Sequence, residues 1–273
     1  MNKPIFNKDF PVVMGIINLT PDSFYPGSRH KNDTRLLQKV EKMLDDGAGI
    51  IDIGAMSSRP GAPLIDTATE LERLIPALEN IAGHFPQAIV SVDTFRAEVA
   101  KQALDKGAHI INDISAAELD PDIVKVVASY RATYIYMHMK GTPETMQDNP
   151  QYGNVVDEVL KYLADKKAYL ESAGINNLIA DPGFGFGKTL DHNYQILNNL
   201  KKFKELGIPI LAGISRKSMI YKLLGTTPEE SLNGTTVLNT IALLNGADIL
   251  RVHDVKEARE AVILVNKTMK SMP

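Results

Sequence analysis

Cysteine is absent from these 273 residues. A disulfide framework and thiolate metal sites are therefore excluded, and a reducing cytosol suits the chain. Charge of one sign is nowhere concentrated. The formal net charge is -3, and without a basic block there is no footprint for nucleic acid. Long apolar runs are missing as well: no stretch approaches the ~18 residues of a membrane span. The opening "MNKPIFNKDF" has no apolar core of the kind a secretion signal needs. No linker rich in Pro, Gly or Ser divides the chain, and no segment is of low complexity. The expectation is a soluble, cytoplasmic protein of one domain, residues 1–273, with no nucleic-acid or membrane partner.

What the chain does have is an alternation. Short apolar, β-branched runs stand at "PVVMGII", "GIIDIGA", "AIVSVDT", "HIINDIS", "TYIYMHM", "NLIADPG", "PILAGIS" and "DILRVHD". Between them lie helical patterns such as "DTRLLQKVEKMLDDGA", which puts Leu36, Leu37, Val40 and Leu44 on one face and stops at Gly47. Eight strands, each followed by a helix, fit an α/β protein of the (β/α)8 TIM-barrel type. Near-continuous apolar strands fit a parallel sheet buried on both faces. An open, doubly wound sheet is the alternative.

Polar residues end nearly every strand: Asn18, Asp52, Asp93, Asn112 with Asp113, His138, Asp181, Ser215 with Arg216 and Lys217, and Arg251 with His253. In such barrels the strand C-termini face the active site. Asp93, Asn112 and Asp181 should converge with the cation Lys217. A flat heterocycle with a guanidine-like edge suits them, because a carboxylate accepts two parallel N–H bonds. Asn18, Arg59, Arg251 and His253 form a second group, rich in arginine, that fits a phosphate or pyrophosphate. Asn18 is an oxygen ligand of the kind Mg²⁺ uses when it rides on substrate phosphates.

The motifs "MGIINLTPDSF", "IDIGAMSSRPGA", "SVDTF", "INDIS", "MHMKGTPETMQ", "ADPGFGFGK", "GISRKSMI" and "RVHDV", in this order from about Val13 to Val255, resemble the dihydropteroate synthase family. The resemblance implies a (β/α)8 barrel, Mg²⁺ as cofactor, a homodimer, and two small-molecule substrates. These are 6-hydroxymethyl-7,8-dihydropterin pyrophosphate and p-aminobenzoate, condensed to 7,8-dihydropteroate and pyrophosphate in folate synthesis, a step targeted by sulfonamides. It further implies pterin contacts at Asp93, Asn112, Met137, Asp181, Gly213 and Lys217. Ser58, Pro60, Phe186, Lys217 and Ser218 would line the aminobenzoate pocket. Asn18, Arg59, Arg251 and His253 would hold the pyrophosphate, with Asn18 on the metal. Catalytic roles would fall to Asp93, Asp181, Lys217, Arg251 and His253. One loop departs from the family's usual Gly-Gly-Glu-Ser-Thr-Arg-Pro-Gly. Here Gly54-Ala55-Met56-Ser57-Ser58-Arg59-Pro60-Gly61 lacks the acidic residue and has serine for threonine.

Two other functions compete. A corrinoid methyltransferase that binds methyltetrahydrofolate would share the pterin floor but has no need of the anion group or of Lys217. A non-catalytic pterin-binding paralogue would not need both groups. The run Gly187-Lys188-Thr189 looks like the end of a nucleotide-binding loop, yet the glycine that such a loop needs is replaced by Pro182, which has no N–H. Lys188 therefore reads as a surface or structural residue, and the glycines of "DPGFGFGK" as giving a flat substrate close access. Asp52 and Asp113 read as carboxylates bonded to barrel backbone. His138 reads as a satisfied core histidine, Met137 and Met139 as barrel packing, and His30, His84, His109 and His192 as solvated.

Overall fold

The computed structural model describes residues 10–19, 29–56, 64–142, 146 and 149–271, with backbone only for 29–32. The chain alternates β1 (Val12–Asn18), α1 (Arg29–Asp45), β2 (Ile50–Gly54), α2 (Thr67–His84), β3 (Val90–Asp93), α3 (Ala97–Asp105), β4 (Ile110–Asp113) and α4 (Ile123–Tyr130). It continues through β5 (Thr133–Met137), α5 (Val155–Ser172), β6 (Leu178–Asp181), α6 (Leu190–Asn198), β7 (Leu211–Ala212), α7 (Ser218–Leu224), α8 (Leu232–Leu244), β8 (Ile249–Val252) and α9 (Val255–Lys270). A 3₁₀ segment, Leu200–Leu206, leads into β7, and β7 is followed by two helices rather than one. The strands pair in parallel in the order β6-β5-β4-β3-β2-β1-β8-β7. A further parallel bridge, Ala180 to Ile210, brings β6 to the start of β7. The sheet is thus a nearly closed eight-stranded barrel, the first of the two architectures expected.

Strand side chains alternate between faces every second residue, and this period builds the site. Met14, Ile50, Ile110, Ile135, Ile179, Leu211 and Ile249, one from each of seven strands, form a separate buried apolar cluster inside the barrel. Two residues further along the same strands come Ile16, Asp52, Asn112, Met137, Asp181, Gly213 and Arg251. Asp93 joins this level because it pairs with Asn112 in the β3–β4 register. An apolar plug is therefore topped by a polar layer. The opposite strand faces, including Ile51, Ile53, Val90, Val92, Tyr134 and Leu250, pack on the helices in the main core. Fully burying each aliphatic side chain of the plug contributes roughly 1.5–3 kcal/mol, so the floor is the stable part of the barrel mouth. No helix among the described residues is long and apolar enough to cross a membrane.

Candidate active site

Arg251, on β8, lies at the centre of one side of the polar layer. Its Nε donates to Asp52 Oδ2 at 2.8 Å and a terminal nitrogen donates to Asp93 Oδ2 at 2.7 Å. Asn112 Nδ2 adds a longer bond to Asp52 Oδ2, at 3.4 Å. Burial pushes the Asp93 carboxyl up to about 7, with Arg251 pulling it back. Burial alone would lower the Arg251 pKa, but Asp52 and Asp93 outweigh it and hold it above the usual arginine range. The reading of Asp52 as a backbone-bonded carboxylate is corrected: it is fully buried and its partners are the side chains of Arg251 and Asn112. Its Oδ1 has no hydrogen-bond partner among the described residues. Asp113 does behave as expected. One residue on, it faces the helices and accepts from the Ser115 and Ala117 amides, and from the Ser115 and Tyr134 hydroxyls at 2.7 and 2.5 Å.

The opposite side is built from β5, β6 and β7. Asp181 Oδ1 accepts from the Gly183 amide at 2.7 Å, so the carboxylate is oriented by its own loop. Lys217 Nζ donates to the Phe184 carbonyl at 2.5 Å and stands 4.6 Å from the centroid of the Phe186 ring. A β-carbon at Gly213 would lie 3.8 Å from Lys217 Nζ and 3.9 Å from Asp181 Oδ2, which puts cation and carboxylate together above that glycine. Burial pushes the Lys217 pKa down to about 8, with Asp181 opposing; burial likewise raises that of Asp181. Phe186 and Met137 are buried with Ile114 and Met146 in a small apolar cluster at the mouth, and Met139 packs against it. Met137 thus has the packing role read from its sequence, at a position facing the polar layer.

Lys217 points inward because Arg216 turns outward. Arg216 has φ 56°, a left-handed conformation that costs a non-glycine residue about 1–2 kcal/mol. Asp254 holds it there with bonds of 2.9 and 2.7 Å to Nε and a terminal nitrogen. Ser218, next after Lys217, opens α7. His253 follows β8, and its amide donates to Ser215 Oγ at 3.2 Å, joining the ends of β7 and β8. Burial, then Arg251 and Lys39, push the His253 imidazole down to about 4, so it is neutral near pH 7. Asn18 ends β1 beside Gly54. Ser58, Arg59 and Pro60 lie outside the described residues, as do both long loops that follow β1 and β2 over most of their length.

Of the two readings of Lys188, surface or structural, the structure supports the second: it is 3% exposed. Its Nζ meets the carbonyls of Gly183, Phe186 and His138 at 2.9, 3.0 and 3.3 Å and His138 Nδ1 at 2.9 Å. The side chain is turned into the protein, away from any phosphate at the head of α6, where Thr189 makes a capping box with His192. His138 is the satisfied core histidine expected. The glycines also serve another purpose than access for substrate. Gly183 and Gly187 have φ 73° and 63°, and a β-carbon on either would collide with the carbonyl oxygen of His138 or Lys140. They let the loop lie directly on the end of β5. Of the histidines read as solvated, His84 is exposed. His109 is exposed too, while accepting from the Val90 amide through Nδ1 at 3.2 Å; His192 is half-buried at its cap, and the His30 side chain lies outside the described residues.

The site is a parallel barrel mouth with carboxylates, an amide and two cations above an apolar plug. The family model described as pterin binding enzyme matches residues 14–253. The dihydropteroate synthase of Escherichia coli is 44% identical over 263 residues, 96% of this chain and 93% of that protein. A Yersinia pestis dihydropteroate synthase crystallised as a sulfonamide drug complex superposes with a TM-score of 0.91 at 40% identity, covering 97% of each chain. Dihydropteroate synthase from Xanthomonas albilineans, in complex with 7,8-dihydropteroate, superposes with a TM-score of 0.86 at 36% identity, covering 98% of this chain and 97% of that one. The chain belongs to the pterin-binding enzymes and, within them, to the dihydropteroate synthase family.

Proposed function

We propose that this chain is the transferase that joins 6-hydroxymethyl-7,8-dihydropterin pyrophosphate to p-aminobenzoate, giving 7,8-dihydropteroate and pyrophosphate in folate synthesis, and that sulfonamides compete for its aminobenzoate site. The observation that carries the reading is the polar layer itself: Asp93, Asn112, Asp181, Lys217 and Arg251 stand over one plug on a barrel whose relative from Xanthomonas albilineans was solved with the product.

On this reading Asp181 and Asn112 meet the amino and ring N–H edge of the pterin, while Met137 and Gly213 leave room for its flat faces. Lys217 donates to the ring. Phe186, Ser218, Lys217, Ser58 and Pro60 line the aminobenzoate pocket. Asn18, Arg59, Arg251 and His253 take the pyrophosphate. The C–O bond breaks with its electrons going to pyrophosphate, and Asp93 and Asp181 stabilise the positive charge left on the pterin methylene. The aminobenzoate nitrogen forms the new C–N bond and gives its proton to solvent. No covalent enzyme intermediate is needed.

Among the described residues no three His, Asp or Glu side chains are grouped to hold a metal. Asn18, a neutral oxygen donor at the end of β1, fits an ion held mainly by substrate phosphates and water, and Mg²⁺ is the proposed cofactor. When bound it supplies charge neutralisation to the leaving pyrophosphate. The proposed location is the cytoplasm, in keeping with a chain free of cysteine. A homodimer is proposed through α7, α8 and α9, where Leu223, Leu224, Val237, Ile241, Leu244, Ile263 and Leu264 are all exposed. Exposed large apolar side chains on three successive helices are the kind of surface that a second copy of the chain could cover.

Release of pyrophosphate from the pterin substrate is the test. It should require aminobenzoate and be suppressed by EDTA and restored by Mg²⁺. Release that ignores aminobenzoate, or methyl transfer from methyltetrahydrofolate instead, would overturn the proposal.

A further inference from the structure

Lys188 has been given no part in the reaction, yet it is a buried lysine with no carboxylate pairing with it among the described residues. Its Nζ is spent instead on the segment that carries the mouth of the site. Two of its acceptors, the carbonyls of Gly183 and Phe186, belong to the β6–α6 loop, and two, the carbonyl and Nδ1 of His138, belong to the end of β5. The same loop gives the Gly183 amide to Asp181, the Phe184 carbonyl to Lys217 and the Phe186 ring to the Lys217 ammonium.

We propose that Lys188 is a positioning residue for the second substrate: by tying the Gly183 and Phe186 carbonyls to His138, it fixes the height of the Phe186 ring and the position of Lys217 above it. The proposal rests on the reading of Phe186 and Lys217 as aminobenzoate contacts. The tie survives either protonation state of the lysine. As an ammonium, Nζ donates three bonds. As an amine it donates two and accepts one from His138 Nδ1–H. Of the proposed pterin contacts, Asp181 and Lys217 are bonded to this loop, but Asn112 and Asp93 are anchored on other strands through Asp52 and Arg251. On the aminobenzoate side Phe186 and Lys217 both depend on the loop, so pterin binding should feel the change less than aminobenzoate binding.

The experiment is steady-state kinetics of Lys188→Met with each substrate varied in turn. Methionine matches the length of the chain and removes the N–H groups. The KM for aminobenzoate should rise by roughly tenfold or more while that for pterin pyrophosphate moves by less than about threefold. Lys188→Gln, which keeps two N–H donors, should restore part of the loss. Wild-type constants in Lys188→Met, or equal losses for both substrates, would overturn the assignment. If Lys188→Met does not accumulate folded, Lys188→Gln carries the comparison. Failure of both to fold would make the residue part of the folding core and not of the site, again overturning it. An inactive wild-type enzyme would sink the functional reading and this proposal with it, whereas an active wild type with an unchanged Lys188→Met would sink this proposal alone.

Discussion

On the β2–β3–β8 side of the barrel mouth, Asp52, Asp93 and Arg251 pair with one another through side chains. On the β5–β6–β7 side, Asp181, Lys188 and Lys217 are oriented by main-chain amides and carbonyls. The first side depends on charge balance and the second on the path of one loop. Removing a member of a buried charge group leaves an unpaired charge, whereas removing a backbone-bonded group leaves a neutral carbonyl or amide, which costs less.

The sharpest way to break that contrast is Arg251→Leu. Two carboxylates would then face each other in a buried site, and breaking such a pairing costs about 3–5 kcal/mol. Lys217→Met, on the other side, leaves the Phe184 carbonyl unpaired at about 1–3 kcal/mol and takes away a cation that lies near Asp181 without a direct ion pair, so its loss should stay below that of Arg251→Leu. Both should lose activity, but urea denaturation should separate them. The double variant Arg251→Leu, Asp52→Leu should regain part of the stability, because it removes a charge along with its partner. Equal losses for the two single variants would erase the distinction between the sides.

A second separation is by pH. The folded pKa of Lys188 is depressed to about 7 from 10.5, so between these values the unfolded chain holds a proton that the folded one has released. Stability from this group is therefore fully present above 10.5 and is lost as pH falls through about 7. From pH ~7 to 9, wild type should gain on Lys188→Met by up to about 1.4 kcal/mol per pH unit. Arg251 stays charged throughout and gives no such slope. Parallel stability curves for wild type and Lys188→Met would show that Lys188 keeps its proton in the fold.

Asp181→Asn sharpens the comparison at the level of ligand. The amide oxygen can still accept from Gly183, so the loop should stay in place. The ring's two donors then lose a charged acceptor, at about 1.5–3 kcal/mol, or roughly 10- to 150-fold in pterin affinity. Calorimetric titration with pterin pyrophosphate measures it, and unchanged affinity would remove Asp181 from the pterin site.

The contrast also marks how far the sequence could be read. The eight strands and their parallel arrangement follow from the alternation of apolar runs with helical patterns, and the polar layer from the polar residues that end the strands, all local properties. Ile50 predicts the inward face of Asp52, and Ile179 that of Asp181. What each inward group bonds to was not legible. Arg251 and Asp52 are 199 residues apart, and nothing local tells that they are partners. Whether Lys188 is a surface or a structural residue is not legible for a related reason. A lysine after a glycine run looks exposed, and only the close lie of Gly183 and Gly187 on β5 reveals that it points inward. The positive φ of Arg216 is equally hidden, since it depends on Asp254 38 residues later.

The smallest predicted effect asks from which side the loop is held. Lys188 braces it from within. From outside, the Tyr152 hydroxyl donates to the Gly187 carbonyl at 2.8 Å, and the Tyr152 ring lies 5.0 Å from that of His192 at the cap of α6. Tyr152 is half-buried, so in Tyr152→Phe water can reach the freed carbonyl and the ring contacts remain. One neutral hydrogen bond is lost, at about 0.5–1.5 kcal/mol by chemical denaturation. Gly187 is the last residue before Lys188, whereas Phe184 and Phe186 are held by other bonds, to Lys217 and Lys188. The KM for aminobenzoate should therefore stay within about twofold of wild type in Tyr152→Phe, a change too small to mark a lost contact in the transition state. A rise matching that of Lys188→Met would mean that the loop is positioned from its solvent side, and the inward lysine would then be a bystander to the site it adjoins.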